Sequence, residues 1–205
     1  WNANPIPKEG APGQLNYIST SPDGRAWSPP EPAFADPKHN VNPIPCPSGT
    51  QWQPNVIRIE DELWAVWCQY SGDRYNGTYV SRLSEPGGRW TNELILWDGL
   101  PDVIIAGQEF RIFPTQNPCR LRSGRVLCPV TLSSRQRASD APPDADPFTA
   151  MLKRDSVIYS DDLGKTWLIS PGTFLPGMNY AQWEPTVWEQ SDGTVAMFGR
   201  TDVRE

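Results

Sequence analysis

Histidine is nearly missing from these 205 residues, with His39 standing alone, and only four cysteines occur, at 46, 68, 119 and 128. Neither type recurs at the short spacing of a zinc site. No glycine-rich phosphate loop and no Ser/His/Asp elbow is present either. The expectation is therefore no cofactor and no metal site. Calcium at the acidic loop Asp140, Asp144 and Asp146 stays open, although these residues lack a recognised ligand spacing. Basic charge is also short, at 18 Lys+Arg against 24 Asp+Glu for a net charge of -6. That speaks against nucleic acid as a partner, which needs a basic face, while a small anion needs only a local arginine. No apolar run approaches the roughly 20 residues of a membrane helix, so no membrane partner is expected.

What the chain has instead is 10 Trp, 23 Pro and 16 Gly. Short aromatic-rich runs divided by Pro and Gly predict an all-β fold. Three segments share one pattern: Asn16 to Trp27, Thr78 to Trp90 and Ser156 to Trp167. Each reads as a strand, a tight turn and a Trp that opens the next strand. In the third, Ser160-Asp161-Asp162-Leu163-Gly164-Lys165-Thr166-Trp167, Asp is placed to accept backbone N–H bonds and Gly to take a positive φ. The Trp residues are expected to pack between neighbouring sheets. The first copy is one residue shorter between Asp23 and Trp27, and the second has Pro86 in place of the Asp.

A second repeat alternates with the first, headed by Trp52-Gln53-Pro54, Gln116-Asn117-Pro118 and Trp183-Glu184-Pro185. Each opens a β-hairpin, turning at Glu60-Asp61-Glu62, at Ser123-Gly124 and at Ser191-Asp192-Gly193. Pro54, Pro118 and Pro185 lie 64 and 67 residues apart, and Trp27, Trp90 and Trp167 lie 63 and 77 apart. The longer interval matches a Pro-rich loop at 140–147. A period of about 65 residues holding four antiparallel strands is one blade of a β-propeller with a generous loop. The expectation is about three blades of a six- or seven-bladed ring, forming a single partial domain over 1–205 with no boundary inside it. The remainder of the ring would be its partner.

A secreted location is expected from two features. Asn76-Gly77-Thr78 is an N-glycosylation sequon. A two-residue turn at Ser123-Gly124 would set Cys119 opposite Cys128, where either a disulfide or two buried thiols fit. Cys46 and Cys68 are left unassigned.

The Ser-x-Asp-x-Gly-x-Thr-Trp run from Ser160 to Trp167 resembles the Asp-box (BNR repeat) of the sialidase superfamily, whose boxes support the fold rather than the chemistry. The stretch from Trp183-Glu184-Pro185 through the Asp192-Gly193 turn to Arg200 resembles a middle blade of exo-sialidases. The resemblance implies that Glu184 polarises a nucleophilic tyrosine and that Arg200 is one of the arginines gripping a sugar carboxylate. Phe110-Arg111-Ile112-Phe113-Pro114 resembles the family's Phe-Arg-Ile-Pro signature and nominates Arg111, whereas alignment of the repeats by their prolines puts Gln116 at that place. Asp140, Asp144 and Asp146 fall in roughly the loop of the general acid. The function implied is a glycosidase cleaving at an acidic sugar of an oligosaccharide or polysaccharide.

Related propellers include polysaccharide lyases acting on uronate-containing chains of ulvan or rhamnose–glucuronate type. Their β-elimination needs a base and a donor, for which His39 and Tyr180 are the candidates, with Arg111 and Arg200 neutralising the uronate. A third reading is a glycan-binding propeller without activity, in which Trp52 and Trp183, at equivalent repeat positions, stack on sugar rings.

Overall fold

The computed structural model describes residues 2–3, 10–46, 49–71, 74–95, 103–105, 108–114, 117–145, 150–171 and 182–201. Every regular element among them is a strand, and none is a helix long and apolar enough to cross a membrane. The chain divides into two compact units, Trp1–Leu94 and Ile95–Glu205.

In the first unit, β1 (Asn2–Ala3), β2 (Leu15–Ile18) and β3 (Glu31–Pro32) form a three-stranded antiparallel sheet. β4 (Thr50–Ile59), β5 (Glu62–Ser71), β6 (Arg74–Leu83) and β7 (Thr91–Ile95) form a four-stranded sheet in chain order. This is the blade that the repeat predicts. Its second strand, β5, is covered on both faces: Trp64, Ala65, Val66, Trp67 and Cys68 are all buried. Trp67 stacks at 4.6 Å on Phe34 and at 4.6 Å on Tyr79, and Trp90 meets Phe34 edge-on at 5.8 Å. The Trp67 indole donates to Ser81 Oγ at 2.8 Å, which satisfies the one polar atom of a ring sealed from water.

In the second unit, β8 (Val103–Ile105), β9 (Gln108–Pro114), β10 (Cys119–Arg120), β11 (Val126–Arg137), β12 (Met151–Ser160) and β13 (Leu168–Ile169) make one antiparallel sheet in the order β13-β12-β11-β9-β8. The long β11 pairs with β10 near its start and with β9 further along. The Pro-rich loop joins β11 to β12, closed by the Ala138 N–H donating to Ala150 O at 2.8 Å. β14 (Gln182–Glu189) and β15 (Val195–Thr201) form a separate hairpin, with β14 set against β11 and β12. All three hairpins expected of the second repeat are present.

The strand-ending turns follow their side chains. At Ser160, Gly164 N–H donates to Ser160 Oγ at 2.7 Å, and the Thr166 N–H and hydroxyl donate to the Asp162 carboxylate at 2.9 and 2.7 Å. Those donors, the Thr166 N–H first, hold the Asp162 carboxyl down at about 2. The shorter copy repeats the scheme, with Gly24 N–H on Ser21 Oγ at 2.7 Å and Arg25 N–H on Asp23 at 2.9 Å. Trp90 and Trp167 are buried as expected, but Trp27 is 62% exposed. Trp27 lies in the segment between β2 and β3, and its copy of the turn is one residue shorter between Asp and Trp than the copy that ends at Trp167.

The register of β10 on β11 decides the cysteines. The β10–β11 turn has three residues, Arg122, Ser123 and Gly124, closed by Leu121 N–H on Arg125 O and by Gly124 N–H on Leu121 O, each at 2.8 Å. Gly124 takes φ +91, which only glycine adopts without strain. Cys119 therefore opposes Leu127 rather than Cys128, and all four cysteines are free thiols. The expected juxtaposition fails by one residue of register. Burial raises the Cys46, Cys119 and Cys128 thiols above their ordinary range.

Candidate active site

Trp183-Glu184-Pro185 does not form a regular ladder with β15. Trp183 pairs with Arg200 and Thr186 with Phe198, so that Glu184 and Pro185 together oppose Gly199 in a bulge. Glu184 adopts φ +52, a left-handed conformation costly for a residue with a side chain. Its carboxylate Oε2 accepts from Arg200 Nη1 at 2.5 Å, and 55% of the Arg200 side chain remains exposed. A cation and an anion thus stand together at one end of the hairpin, open to solvent.

The same scaffold occurs in β4–β5. Trp52 pairs with Cys68 and Asn55 with Val66, leaving Gln53 and Pro54 in the bulge, and Gln53 has φ +40. The bulge therefore recurs in two hairpins of the repeat, and what varies between them is the residue it carries. Where the later hairpin has Glu184 and Arg200, the earlier one has Gln53 and Cys68.

Behind Glu184 lies a row of buried polar side chains. The Glu184 N–H donates to Thr131 Oγ1 at 3.2 Å, and the Thr131 hydroxyl donates to Asp155 Oδ1 at 2.9 Å. Thr131 and Asp155 are cross-strand partners on β11 and β12, as are Ser133 and Lys153. Thr131, Asp155 and Lys153 show no exposed surface. Burial raises the Asp155 carboxyl to about 6, against the lowering pull of the Thr131 hydroxyl and the Lys153 charge. Lys153 Nζ lies 3.6 Å from the centre of the Trp183 ring, a cation–π contact in place of water.

Of the predicted residues, the structure brings together Trp183, Glu184 and Arg200. Arg111 lies on β9, where the backbone register sets it opposite Ser133, in the cross-strand row that continues to Lys153. In the first unit, His39 Nε2 meets Glu31 Oε2 at 2.6 Å, and Lys38 holds the other Glu31 oxygen at 2.6 Å. Half-buried Trp52 rests on Gly10, where an added Cβ would lie 2.8 Å from the ring. Both repeat tryptophans are thus engaged in packing. Asp140 and Asp144 are exposed in the β11–β12 loop. Gln116, Tyr180 and Asp146 lie outside the described residues. No group of three or more His, Cys, Asp or Glu able to hold a metal ion occurs among the described residues.

Sequence reasoning missed Thr131, Lys153 and Asp155. A signal was there. Lys153 and Asp155 stand two apart in a strand, as do Thr131 and Ser133, so each pair shares a face. That face turned out to be buried.

Solved structures with the same course of chain include sialidases. Trypanosoma rangeli sialidase in complex with 2,3-difluorosialic acid, a covalent intermediate, aligns over 94% of this chain and 30% of its own, with TM-score 0.62 and 15% identity. The fold is that of the sialidase β-propeller. A Trypanosoma rangeli sialidase mutant displaying trans-sialidase activity aligns with TM-score 0.60 and 16% identity, over 92% of this chain and 30% of its own. A Hadza microbial sialidase aligns with TM-score 0.64 and 14% identity, over 94% and 37%. The chain spans about a third of the length of these proteins. No family model and no curated protein matches it.

Proposed function

We propose that this chain is part of a secreted, sialidase-like glycosidase that cleaves the bond at an acidic sugar. The observation that carries this reading is the solvent-open Glu184–Arg200 pair on a bulge that holds Gln53 and Cys68 in the other hairpin. An exposed ion pair stabilises a protein by only about 0–1 kcal/mol, so stability is a poor reason to place two charges here. Chemistry is a better one. A guanidinium offers a planar fork to the carboxylate of an acidic sugar. A carboxylate beside it can draw the proton from a phenol and so ready a tyrosine nucleophile, the route sialidases use in place of a carboxylate nucleophile. The covalent 2,3-difluorosialic acid complex of the Trypanosoma rangeli enzyme supports an acidic sugar as the substrate class. The Asn76 sequon supports secretion, whereas the free thiols lend it no weight.

The test is to incubate the full-length protein with sialosides, ulvan and rhamnose–glucuronate-capped arabinogalactan. Free sugar without unsaturated-uronate absorbance is the expected result. Absorbance would establish β-elimination and turn attention to His39, and silence across the panel would favour a binding module.

A further inference from the structure

Glu184 sits where a bulge has taken its backbone out of the ladder with β15. A buried N–H that loses its ladder partner must find another acceptor. Here that acceptor is the Thr131 hydroxyl, at 3.2 Å. The hydroxyl has one hydrogen of its own, and because its oxygen already receives the Glu184 N–H, that hydrogen goes outward, to Asp155 Oδ1 at 2.9 Å. The bonds therefore run in one direction, from Glu184 N–H to Thr131 Oγ1 to Asp155. Neither Thr131 nor Asp155 has exposed surface, and the second Asp155 oxygen has no hydrogen-bond partner among the described residues. Burying a carboxyl group with one oxygen unpartnered costs stability, which the Thr131 hydroxyl on the other oxygen offsets only in part. What the carboxyl group fixes is the oxygen on which the left-handed Glu184 backbone rests.

We propose that Thr131 and Asp155 are positioning residues, which clamp the Glu184 backbone from β11 and β12 and so keep its carboxylate on Arg200. Neither touches substrate, and the claim that this serves catalysis rests on the function proposed above. A carboxylate that must meet both a guanidinium and a reacting group has to be held within a fraction of an ångström, and a strained bulge alone leaves it free to relax.

The experiment compares full-length wild-type protein with Thr131→Val and Thr131→Ser. Hydrogen exchange at the Glu184 amide is followed beside steady-state kinetics on a sialoside. With Thr131→Val, exchange is expected to rise at least tenfold and kcat to fall at least tenfold, with KM within twofold of wild type. Thr131→Ser, which keeps the oxygen, restores both. Because Thr131→Val leaves Asp155 without its donor, Thr131→Val/Asp155→Leu serves as the variant that folds without an orphaned carboxyl, and the same two changes are expected. Wild-type exchange at Glu184 in these variants would overturn the clamp. Faster exchange with unchanged kcat would overturn its role in positioning. If the wild-type protein cleaves no acidic glycan, the proposed function fails, and the clamp is then judged by exchange alone.

Discussion

Gln53 and Glu184 occupy the same place in two hairpins of the repeat, each between a Trp and a Pro, each in a bulge, with φ of +40 and +52. Because the strain recurs, it comes from the blade design rather than from the carboxylate. A left-handed residue with a side chain costs roughly 1–2 kcal/mol, and glycine avoids that cost while losing about 0.5–1 kcal/mol through unfolded-chain entropy. Gln53→Gly is therefore expected to leave stability unchanged or raise it by up to about 1 kcal/mol. Gln53→Val, β-branched and intolerant of positive φ, should lose about 1–3 kcal/mol. Urea unfolding midpoints measure both, and a valine variant as stable as wild type would contradict the left-handed assignment.

Asp155 sets the sign of a pH effect. Its folded value of about 6 lies above the ordinary 3.8, so the folded chain binds this proton more tightly than the unfolded chain. The stability it contributes is fully present below about pH 4 and is lost as pH rises through 6, a fall of roughly 3 kcal/mol. The carboxylates of Asp23, Glu31, Asp161, Asp162, Glu189 and Asp192 are all held below their usual range and act in the opposite sense, but in a more acid window. Between pH 4.5 and 7 the difference between wild type and Asp155→Asn isolates the buried carboxyl. Asparagine keeps an oxygen for the Thr131 hydroxyl, so its stability should be flatter across that window. Parallel curves for the two proteins would show that Asp155 keeps an ordinary pKa.

The cysteines give a direct check of register. With Cys119 opposite Leu127, the protein should release four thiols on denaturation without reductant. In the native state Cys46, Cys68 and Cys128 should react slowly, because all three are buried. Alkylation followed by intact mass reads both states. A Cys119–Cys128 disulfide, seen as two missing thiols and located by peptide mapping, would mean that β10 and β11 are paired one residue away from the register described.

The repeat was legible because its signals are local. Each Asp or Gly turn, and each Trp-x-Pro head, acts within a few residues of itself, and their alternation predicted a four-stranded blade and three hairpins. Single-residue details were harder to read. Whether a turn after Leu121 has two residues or three depends on Gly124 taking a positive φ, and that choice moved Cys119 off Cys128. Of the candidate site, the Glu184 and Arg200 half could be nominated from sequence, because the two residues share one hairpin. The other half, Thr131, Lys153 and Asp155, comes from strands 53 to 29 residues earlier than Glu184 and becomes visible only once β11, β12 and β14 are packed together.

Arg200 gives the sharpest functional expectation. Its counterpart in the other hairpin is Cys68, so the blade folds without a cation at this place, and with 55% of the side chain exposed its loss should move stability by no more than about 1 kcal/mol. If the guanidinium grips a sugar carboxylate, Arg200→Ala should lower kcat/KM on an acidic glycan by about 10–10²-fold, the scale of losing a hydrogen bond to a charged group, roughly 1.5–3 kcal/mol. Arg200→Lys keeps the charge and loses the fork, so it should recover only part of that loss. Glu184→Gln separates the roles further. It keeps an oxygen near Arg200 and removes the negative charge, so kcat should fall by a similar factor while KM changes little. Parallel kinetics and urea midpoints on the full-length variants decide the matter. A folded Arg200→Ala protein with wild-type kcat/KM would reduce the pair to surface electrostatics.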